Sequence, residues 1–171
     1  MQKNPKIIIT TNRLILREMN TLDLDYLHQI FDEAISMTFY TSPQKREKAE
    51  LWIEHVITSY KKNGFGMWLC FNTKNKKFIG QCGLMKNEID GHEEIELGYS
   101  ILRKCWNQRY ATEAARACIK YSFEILNVLR VVSVIDNNIS SKHVLHKIGM
   151  KKTGQVKRWN KITDLYTIDK T

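Results

Sequence analysis

Residues 105–114 read CWNQRYATEA and join two segments with different periodicities. Before them, residues 93–102 (EEIELGYSIL) alternate apolar and polar side chains, which predicts a strand. After them, residues 111–126 (ATEAARACIKYSFEIL) are rich in alanine, which predicts a helix. The first N–H groups of a helix lack intrahelical partners, and the helix dipole is positive at that end. This strand-to-helix loop therefore predicts a site for a phosphate-bearing ligand.

The composition is that of an ordinary globular protein. The chain has 171 residues, of which 43% are hydrophobic and 26% charged, with two prolines. This length supports one domain, which we expect to span residues 1–171. The N-terminal sequence lacks the pattern of a cleaved signal peptide, and no segment has the eighteen apolar residues of a membrane span. We therefore expect a soluble, cytoplasmic protein without membrane partners.

Four widely spaced cysteines show no C-x-x-C pair and no neighbouring histidines of the zinc type. We expect no metal site and interpret them as reduced packing residues: Cys70, Cys82, Cys105 and Cys118. His143 and His146 lie three residues apart on one helix, but no carboxylate or cysteine is near them in the sequence. They are interpreted as solvated helix positions.

The net charge of +9 is unevenly distributed. Residues 137–163 contain no acidic residue and seven cationic ones. Such a field attracts phosphate groups, on a nucleic acid or on a nucleotide-like cofactor. A solvated basic face is an equally good interpretation for any single lysine.

The rest of the chain predicts a mixed α/β (α+β) fold. A first strand is predicted over Ile7–Met19. A helix opened by Thr21 and Asp23 follows, with Leu27, Ile30, Phe31 and Ala34 on one face. The next helix has Ser42 as N-cap, Pro43 in its first turn, and Gly64 after its end.

Three strands follow as an antiparallel meander, over residues 66–73, 78–87 and 94–102, with Asp90-Gly91 as a hairpin turn. After the helix from about Tyr110 to Leu126 come a strand (residues 129–136), a short helix ended by Gly149, and two strands. The predicted order is β-α-α-β-β-β-α-β-α-β-β, with a largely antiparallel sheet flanked by helices.

Residues 103–123 (RKCWNQRYATEAARACIKYSF) resemble the acetyl-coenzyme A loop and helix of the GNAT superfamily of N-acetyltransferases. The branch they resemble is that of the ribosomal-protein acetyltransferases RimJ and RimL. Four further segments agree in order and spacing: TNRLILRE, FIGQCGL, IELGYSI and NNISSKHVLHKIGMKKTG. The resemblance runs from about Thr11 to Tyr166. It implies the GNAT fold, acetyl-CoA or CoA as cofactor, and transfer of acetyl to an amine.

One position departs from the family pattern Q/R-x-x-G-x-G/A, which falls on residues 106–111. Its central glycine is Arg109 here. The backbone and the pyrophosphate approach closely at this point, so a side chain can obstruct the ligand. A negative φ would cost an arginine nothing, and its charge suits an anion, so we expect cofactor binding to be retained.

The resemblance implies a set of cofactor-binding residues. The strand amides supply the contact to the pantetheine and the oxyanion, and the loop binds the phosphates. The set is Leu97, Gly98, Tyr99, Ser100, Ile101, Trp106, Asn107, Gln108, Arg109, Tyr110, Ala111, Thr112, Asn138, Ser141 and Lys147. Asn138 matches the asparagine that binds the pantetheine arm, although an ordinary turn asparagine is the alternative.

Two residues are candidates for proton transfer. Strand alternation places Glu96 on the same face as Glu94 and Ser100, where a carboxylate accepts a proton from the acceptor ammonium. An exposed hairpin residue is the alternative for Glu96. Ser141 or a water is the candidate donor to the thiolate, because the tyrosine of many relatives is Leu145 here. The alternative role of Ser141 is that of an N-cap.

The predicted reaction is direct transfer in a ternary complex, and no cysteine acts as acyl carrier. The acceptor is a protein N-terminus or a small molecule such as a polyamine, amino sugar or amino acid. Aromatic residues either pack in the core or wall the acceptor pocket: Phe39, Tyr40, Trp52, Trp159 and Tyr166. Two alternatives stay open: a non-catalytic CoA-binding or sensing module, and a basic ribosome-associated or RNA-binding protein. Nucleic acid is the less favoured partner, and the protein is expected as a monomer or homodimer.

Overall fold

A computed structural model describes residues 5–32 and 46–171. Within them the chain forms eight strands and four α-helices. The strands are β1 (Ile7–Thr10), β2 (Leu14–Arg17), β3 (Met67–Asn72), β4 (Phe78–Ile89), β5 (His92–Ile101), β6 (Arg130–Ile135), β7 (Lys151–Arg158) and β8 (Lys161–Asp169). The helices are α1 (Leu24–Asp32), α2 (Arg46–Asn63), α3 (Tyr110–Glu124) and α4 (Ile139–Lys147). No helix within the described ranges is both long and apolar enough to cross a membrane.

The strands form one sheet in the order β1-β2-β3-β4-β5-β6-β8-β7. Its neighbouring pairs are antiparallel except β5 and β6, which run parallel. Helices cover both faces of the sheet. Cys82 of β4 contacts Cys118 of α3, and the preceding residue, Gln81, which points to the other face, accepts a hydrogen bond from Trp52 of α2. The predicted mixed fold with a largely antiparallel sheet is confirmed.

The first predicted strand is two strands, so the single strand over Ile7–Met19 was wrong. Thr11 turns the chain between them: its N–H donates to the carbonyl of Leu14, and its hydroxyl accepts from the N–H of Leu14. A side chain that bonds the backbone three residues on competes with the extended conformation. Arg13 therefore lies in a turn directly before β2.

The predicted helices are present. Asn20 caps a 3₁₀ turn (Thr21–Asp23) that leads into α1, and Leu27, Ile30 and Phe31 are buried as predicted. Helix α2 ends at Asn63, and Gly64 follows with φ +80°. Five predicted positions lie outside the described residues: Ala34, Phe39, Tyr40, Ser42 and Pro43.

The meander and the cysteines also agree with the sequence. Asp90 and Gly91 both have positive φ, the backbone of a two-residue hairpin turn between β4 and β5. The four cysteines are buried and unbridged. Burial raises the pKa of the Cys70 and Cys82 thiols well above the ordinary value, so both stay protonated.

Candidate functional site

The two parallel strands β5 and β6 separate along their length. They pair at Glu96 and Val132, and one step further the hydroxyl of Ser133 donates to the carbonyl of Leu97 at 3.1 Å. In the described residues the parallel register goes no further. Beyond this point a cavity of about 450 Å³ opens, lined by both strand ends and by the N-termini of α3 and α4.

Backbone groups of β5 face this gap on one edge. The N–H of Leu102 donates to Ile79 of β4, so even-numbered residues direct their backbone groups toward β4. The carbonyls of Leu97 and Ile101 point the other way, because Ser133 and the Trp106 indole donate to them. By this alternation the N–H groups of Tyr99 and Ile101 face the gap.

The loop before α3 contains two non-glycine residues in the left-handed region. Asn107 has φ +59°, and Arg109, the residue at the N-cap position, has φ +65° and ψ 15°. The expected negative φ at Arg109 was therefore wrong, because the arginine adopts the backbone that glycine would have. Within the described residues Arg109 makes no side-chain cap bond to α3, so the first N–H groups of this helix are available for a ligand. This arrangement fits a diphosphate.

Helix α4 begins differently. Asn138 is its N-cap, and its side chain accepts from the N–H of Ser141 at 3.0 Å. Ser141 is thus the third helical residue, and its interpretation as an N-cap was wrong. The Tyr99 hydroxyl donates to the Ser141 carbonyl at 3.1 Å, and burial raises the pKa of this phenol, which keeps its proton. Leu145, in the position of the family tyrosine, is fully buried.

Glu96 lies on the opposite face of the sheet from Tyr99, because the two are three residues apart on β5. Its Oε2 accepts from Asn87 Nδ2 at 2.6 Å and from Arg158 Nη1 at 2.7 Å. The Glu96 side chain is 12% exposed. A second acid on the same face, Glu94, pairs with Arg130 at 2.6 Å.

The structure brings most of the predicted cofactor-binding residues to the cavity wall. They are Tyr99, Ser100, Ile101, Trp106, Asn107, Arg109, Tyr110, Ala111, Thr112, Asn138, Ser141 and Lys147. Leu97 and Gly98 do not line it, because Leu97 points into the core and Gly98 lies against Met67. Gln108 does not line it either, since its carbonyl accepts from Arg13 on the outer side of the loop.

Several wall residues were not predicted as cofactor contacts: Cys105, Val134, Ile135, Asp136, Ser140, His143, Val144 and Trp159. His143 and His146 are both exposed, as expected, and His146 stacks edge-on against Tyr166. Trp159 was predicted either to pack in the core or to wall the acceptor pocket, and it is exposed. The sequence marked Arg158 as one of the seven cations but did not predict that it reaches Glu96 from the tip of the β7–β8 hairpin.

The basic segment is partly neutralised by carboxylates that lie outside it. Asp164 pairs with Lys142 and Lys152, and Asp136 pairs with Lys161, each at 2.7 Å. With the Arg158–Glu96 pair, four of the seven cations have acidic partners. The sequence of residues 137–163 therefore overstates the net positive charge of this surface. This weakens the argument for nucleic-acid binding.

Known proteins resemble the chain over most of its length. The sequence profile of the family described as acetyltransferase (GNAT) domain matches residues 13–151. The uncharacterized protein YkkB of Bacillus subtilis (strain 168) is 31% identical over 165 residues, which are 95% of this chain and 96% of that protein. The uncharacterized N-acetyltransferase YnaD of the same strain is 35% identical over 151 residues, 88% of this chain and 86% of its own.

Among solved structures, the RimL ribosomal L7/L12 alpha-N-protein acetyltransferase in complex with coenzyme A superposes with a TM-score of 0.80. The match covers 96% of this chain and 98% of RimL at 15% identity. This likeness shows a shared fold.

Proposed function

The chain belongs to the acetyltransferase (GNAT) domain family and is an acetyl-CoA-dependent acetyltransferase; we propose that it acetylates a primary amine by direct attack in a ternary complex. The observation that carries the proposal is the gap between β5 and β6. Glu96 lies on one face of the sheet, and the cavity with Tyr99 and Ser141 lies on the other. An amine that enters beside Glu96 can therefore meet a thioester held in the cavity.

The cavity wall would hold the cofactor in two ways. The N–H groups of the α3 first turn and of the preceding loop would bind the diphosphate. The N–H groups of Tyr99 and Ile101 would bind the pantetheine arm and stabilise negative charge on the carbonyl oxygen. When bound, acetyl-CoA supplies an acetyl group activated as a thioester.

Glu96 would accept a proton from the acceptor ammonium, directly or through water. Asn87 and Arg158 both donate to Oε2, so Oε1 is the oxygen that carries this role. The hydroxyl of Ser141, at the cavity wall, would pass a proton to the leaving sulfur and take one from water in return. Tyr99 holds the backbone of Ser141 in place through its hydroxyl.

The test begins with calorimetric titration of the protein with acetyl-CoA and with CoA. An acetylation screen then follows release of the free thiol across peptides with a free N-terminus and across polyamines, amino sugars and amino acids. Peptide acceptors would extend the likeness to the RimJ and RimL branch. Absence of CoA binding would contradict the proposal.

Glu96→Gln should lower kcat about 100-fold, the scale of general base catalysis, with less than about a twofold change in CoA affinity. Glu94→Gln is the matched control, because Glu94 lies on the same strand face and also pairs with an arginine. We expect it to change kcat less than about threefold, since it is two residues further from the gap. Equal kcat for Glu96→Gln and the unsubstituted protein would remove Glu96 from the mechanism.

A second candidate is a CoA-binding module without transferase activity. It is favoured by Leu145, which is buried and provides no hydroxyl at the position of the family tyrosine. Micromolar CoA binding with no acetylation of any amine in the screen would support it. RNA binding with a steep salt dependence would instead support the third alternative.

A further inference from the structure

Arg13 lies outside the cavity, and its backbone is held on both sides. Its N–H donates to Glu113 Oε1 of α3 at 3.0 Å, and its carbonyl accepts from the N–H of Thr73 at 2.9 Å. The next residue, Leu14, is fully buried in the core. The backbone from which the Arg13 side chain extends is therefore fixed relative to α3.

Three contacts then fix the guanidinium. Nε donates to Glu113 Oε2 at 2.7 Å, and Nη1 donates to the carbonyl of Gln108 at 3.0 Å. The guanidinium carbon lies 4.5 Å from the centre of the Tyr110 ring. Glu113 is held in turn by the hydroxyl of Thr11 at 2.6 Å. A planar fork with this many constraints is a rigid donor.

The carbonyl that Arg13 binds belongs to the peptide between Gln108 and Arg109. In a trans peptide the C=O and the following N–H point in opposite directions. Because Arg13 draws this carbonyl to the outer side of the loop, the N–H of Arg109 points to the inner side. Arg109 lines both the cavity and the outer groove, whereas Arg13 lines the groove alone, so the side away from Arg13 is the cavity side.

This peptide also lies between the two left-handed residues, Asn107 and Arg109. A left-handed backbone is unfavourable for any residue with a Cβ, and asparagine tolerates it better than arginine. A contact from outside the loop that holds the peptide beside Arg109 offsets the cost of its φ of +65°. The Arg13 guanidinium makes such a contact, and it reaches the loop from a part of the chain 95 residues away.

We propose that Arg13 is a positioning residue for the cofactor: it orients the Gln108–Arg109 peptide so that the Arg109 N–H faces the diphosphate of CoA. The inference rests on the proposed function in one respect, the identity of the bound anion. It also accounts for an arginine at the position where the family pattern has glycine.

The test compares two acetyl donors, acetyl-CoA and S-acetylpantetheine, which has no diphosphate. Arg13→Gln should raise KM for acetyl-CoA about tenfold with kcat unchanged at saturation, because it removes a charge-assisted hydrogen bond that orients the phosphate contact. KM for S-acetylpantetheine should change less than about twofold. An equal rise in KM for both donors would overturn the proposal, since it would mean general damage to the site.

Lys120→Gln is the matched control. Lys120 is an exposed cation on the outer groove that Arg13 also lines, and it pairs with Glu124 on its own helix at 3.9 Å. Its removal changes the charge equally without touching the loop, so KM for acetyl-CoA should change less than about twofold. A tenfold rise in KM for acetyl-CoA in Lys120→Gln would assign the effect to the electrostatic field. It would overturn the role of the Arg13 guanidinium.

A second measurement needs no ligand. In the ligand-free protein, the amide ¹H–¹⁵N resonance of Arg109 should shift in Arg13→Gln and exchange faster with solvent. Arg109→Gly should reduce the effect of Arg13→Gln on this segment, because glycine holds the left-handed backbone unaided. An unchanged Arg109 amide would overturn the proposal, whereas a failure of CoA to bind would instead contradict the proposed function.

Discussion

Two helices begin at the cavity, and they begin in opposite ways. Helix α4 starts at an asparagine with an ordinary extended backbone, whose side chain accepts from the N–H of Ser141. Helix α3 starts at Arg109, which is left-handed and provides no side-chain cap. The start of α4 is stabilised by its own cap, whereas the loop before α3 is held from outside by Arg13.

The difference separates a helix start with a side-chain cap from one whose N-cap residue leaves the first N–H groups uncapped. An N-cap side chain occupies one of the N–H groups that would otherwise bind an anion. At α3 these groups are left to the cavity, and the dipole adds positive charge there. We therefore expect the phosphates to bind at α3, while α4 contributes its side chains to the wall.

A negative charge in each first turn gives the largest expected effect. Thr112→Asp, on α3, should weaken CoA binding about 100-fold, because a carboxylate would stand within several ångströms of the phosphates. Ser140→Asp, on α4, should weaken it less than about fivefold. An acidic residue in the first turn stabilises a helix, so neither loss would reflect unfolding. Calorimetry with CoA measures both; equal losses would show that phosphates contact both helix starts.

Glycine and alanine substitutions at the two N-caps should change stability in opposite directions. Arg109→Gly should raise the free energy of unfolding by about 1 kcal/mol, because it removes the cost of the left-handed backbone. Asn138→Ala should lower it by about 1 kcal/mol, because an N-cap bond is lost. The corresponding shifts in Tm, measured by circular dichroism, are about 2–4 °C. A lower Tm for Arg109→Gly would show that the arginine side chain makes compensating contacts.

The smallest expected effects concern the carboxylates that anchor each helix. Hydrogen bonds from Lys142, then Lys152, hold the pKa of Asp164 far below its usual range. Burial alone would raise the pKa of Glu113, but hydrogen bonds from Thr11 and Arg13 outweigh it and lower the pKa. A carboxylate with a lowered pKa stabilises the fold above its unfolded pKa, and this contribution is lost as pH falls through the folded pKa.

Asp164→Asn and Glu113→Gln should therefore each lower Tm by about 1–2 °C at pH 7. The difference from the unsubstituted protein should shrink below about pH 4, where the carboxyls protonate in the unfolded chain. It should disappear at a higher pH for Glu113→Gln than for Asp164→Asn, because the pKa of Asp164 is lowered further. Thermal unfolding between pH 2 and pH 7 checks this order, and a constant difference down to pH 2 would contradict it.

The sequence predicted the site where local pattern decides structure. The strand around Glu96, the loop over residues 105–109 and the helix after it follow from periodicity and composition, and they lie as expected. The first strand was wrong because the side chain of Thr11 bonds the backbone of Leu14, a contact that periodicity does not register. The N-cap of α4 is Asn138 and not Ser141. Asparagine and serine are nearly equal as N-caps, so the sequence alone does not choose between them.

By itself, the sequence determined most of the elements and their order, and it brought together most of the residues that line the cavity. These follow from contacts between residues close in the chain, which repeat every two residues in a strand or about every 3.6 in a helix. Only the tertiary structure decided that Glu96 pairs with Arg158, 62 residues away, and that Arg13 pairs with Glu113, 100 residues away. It also decided the left-handed backbone of Arg109, which local preference opposes. Such a conformation persists because packing from distant segments outweighs the local cost.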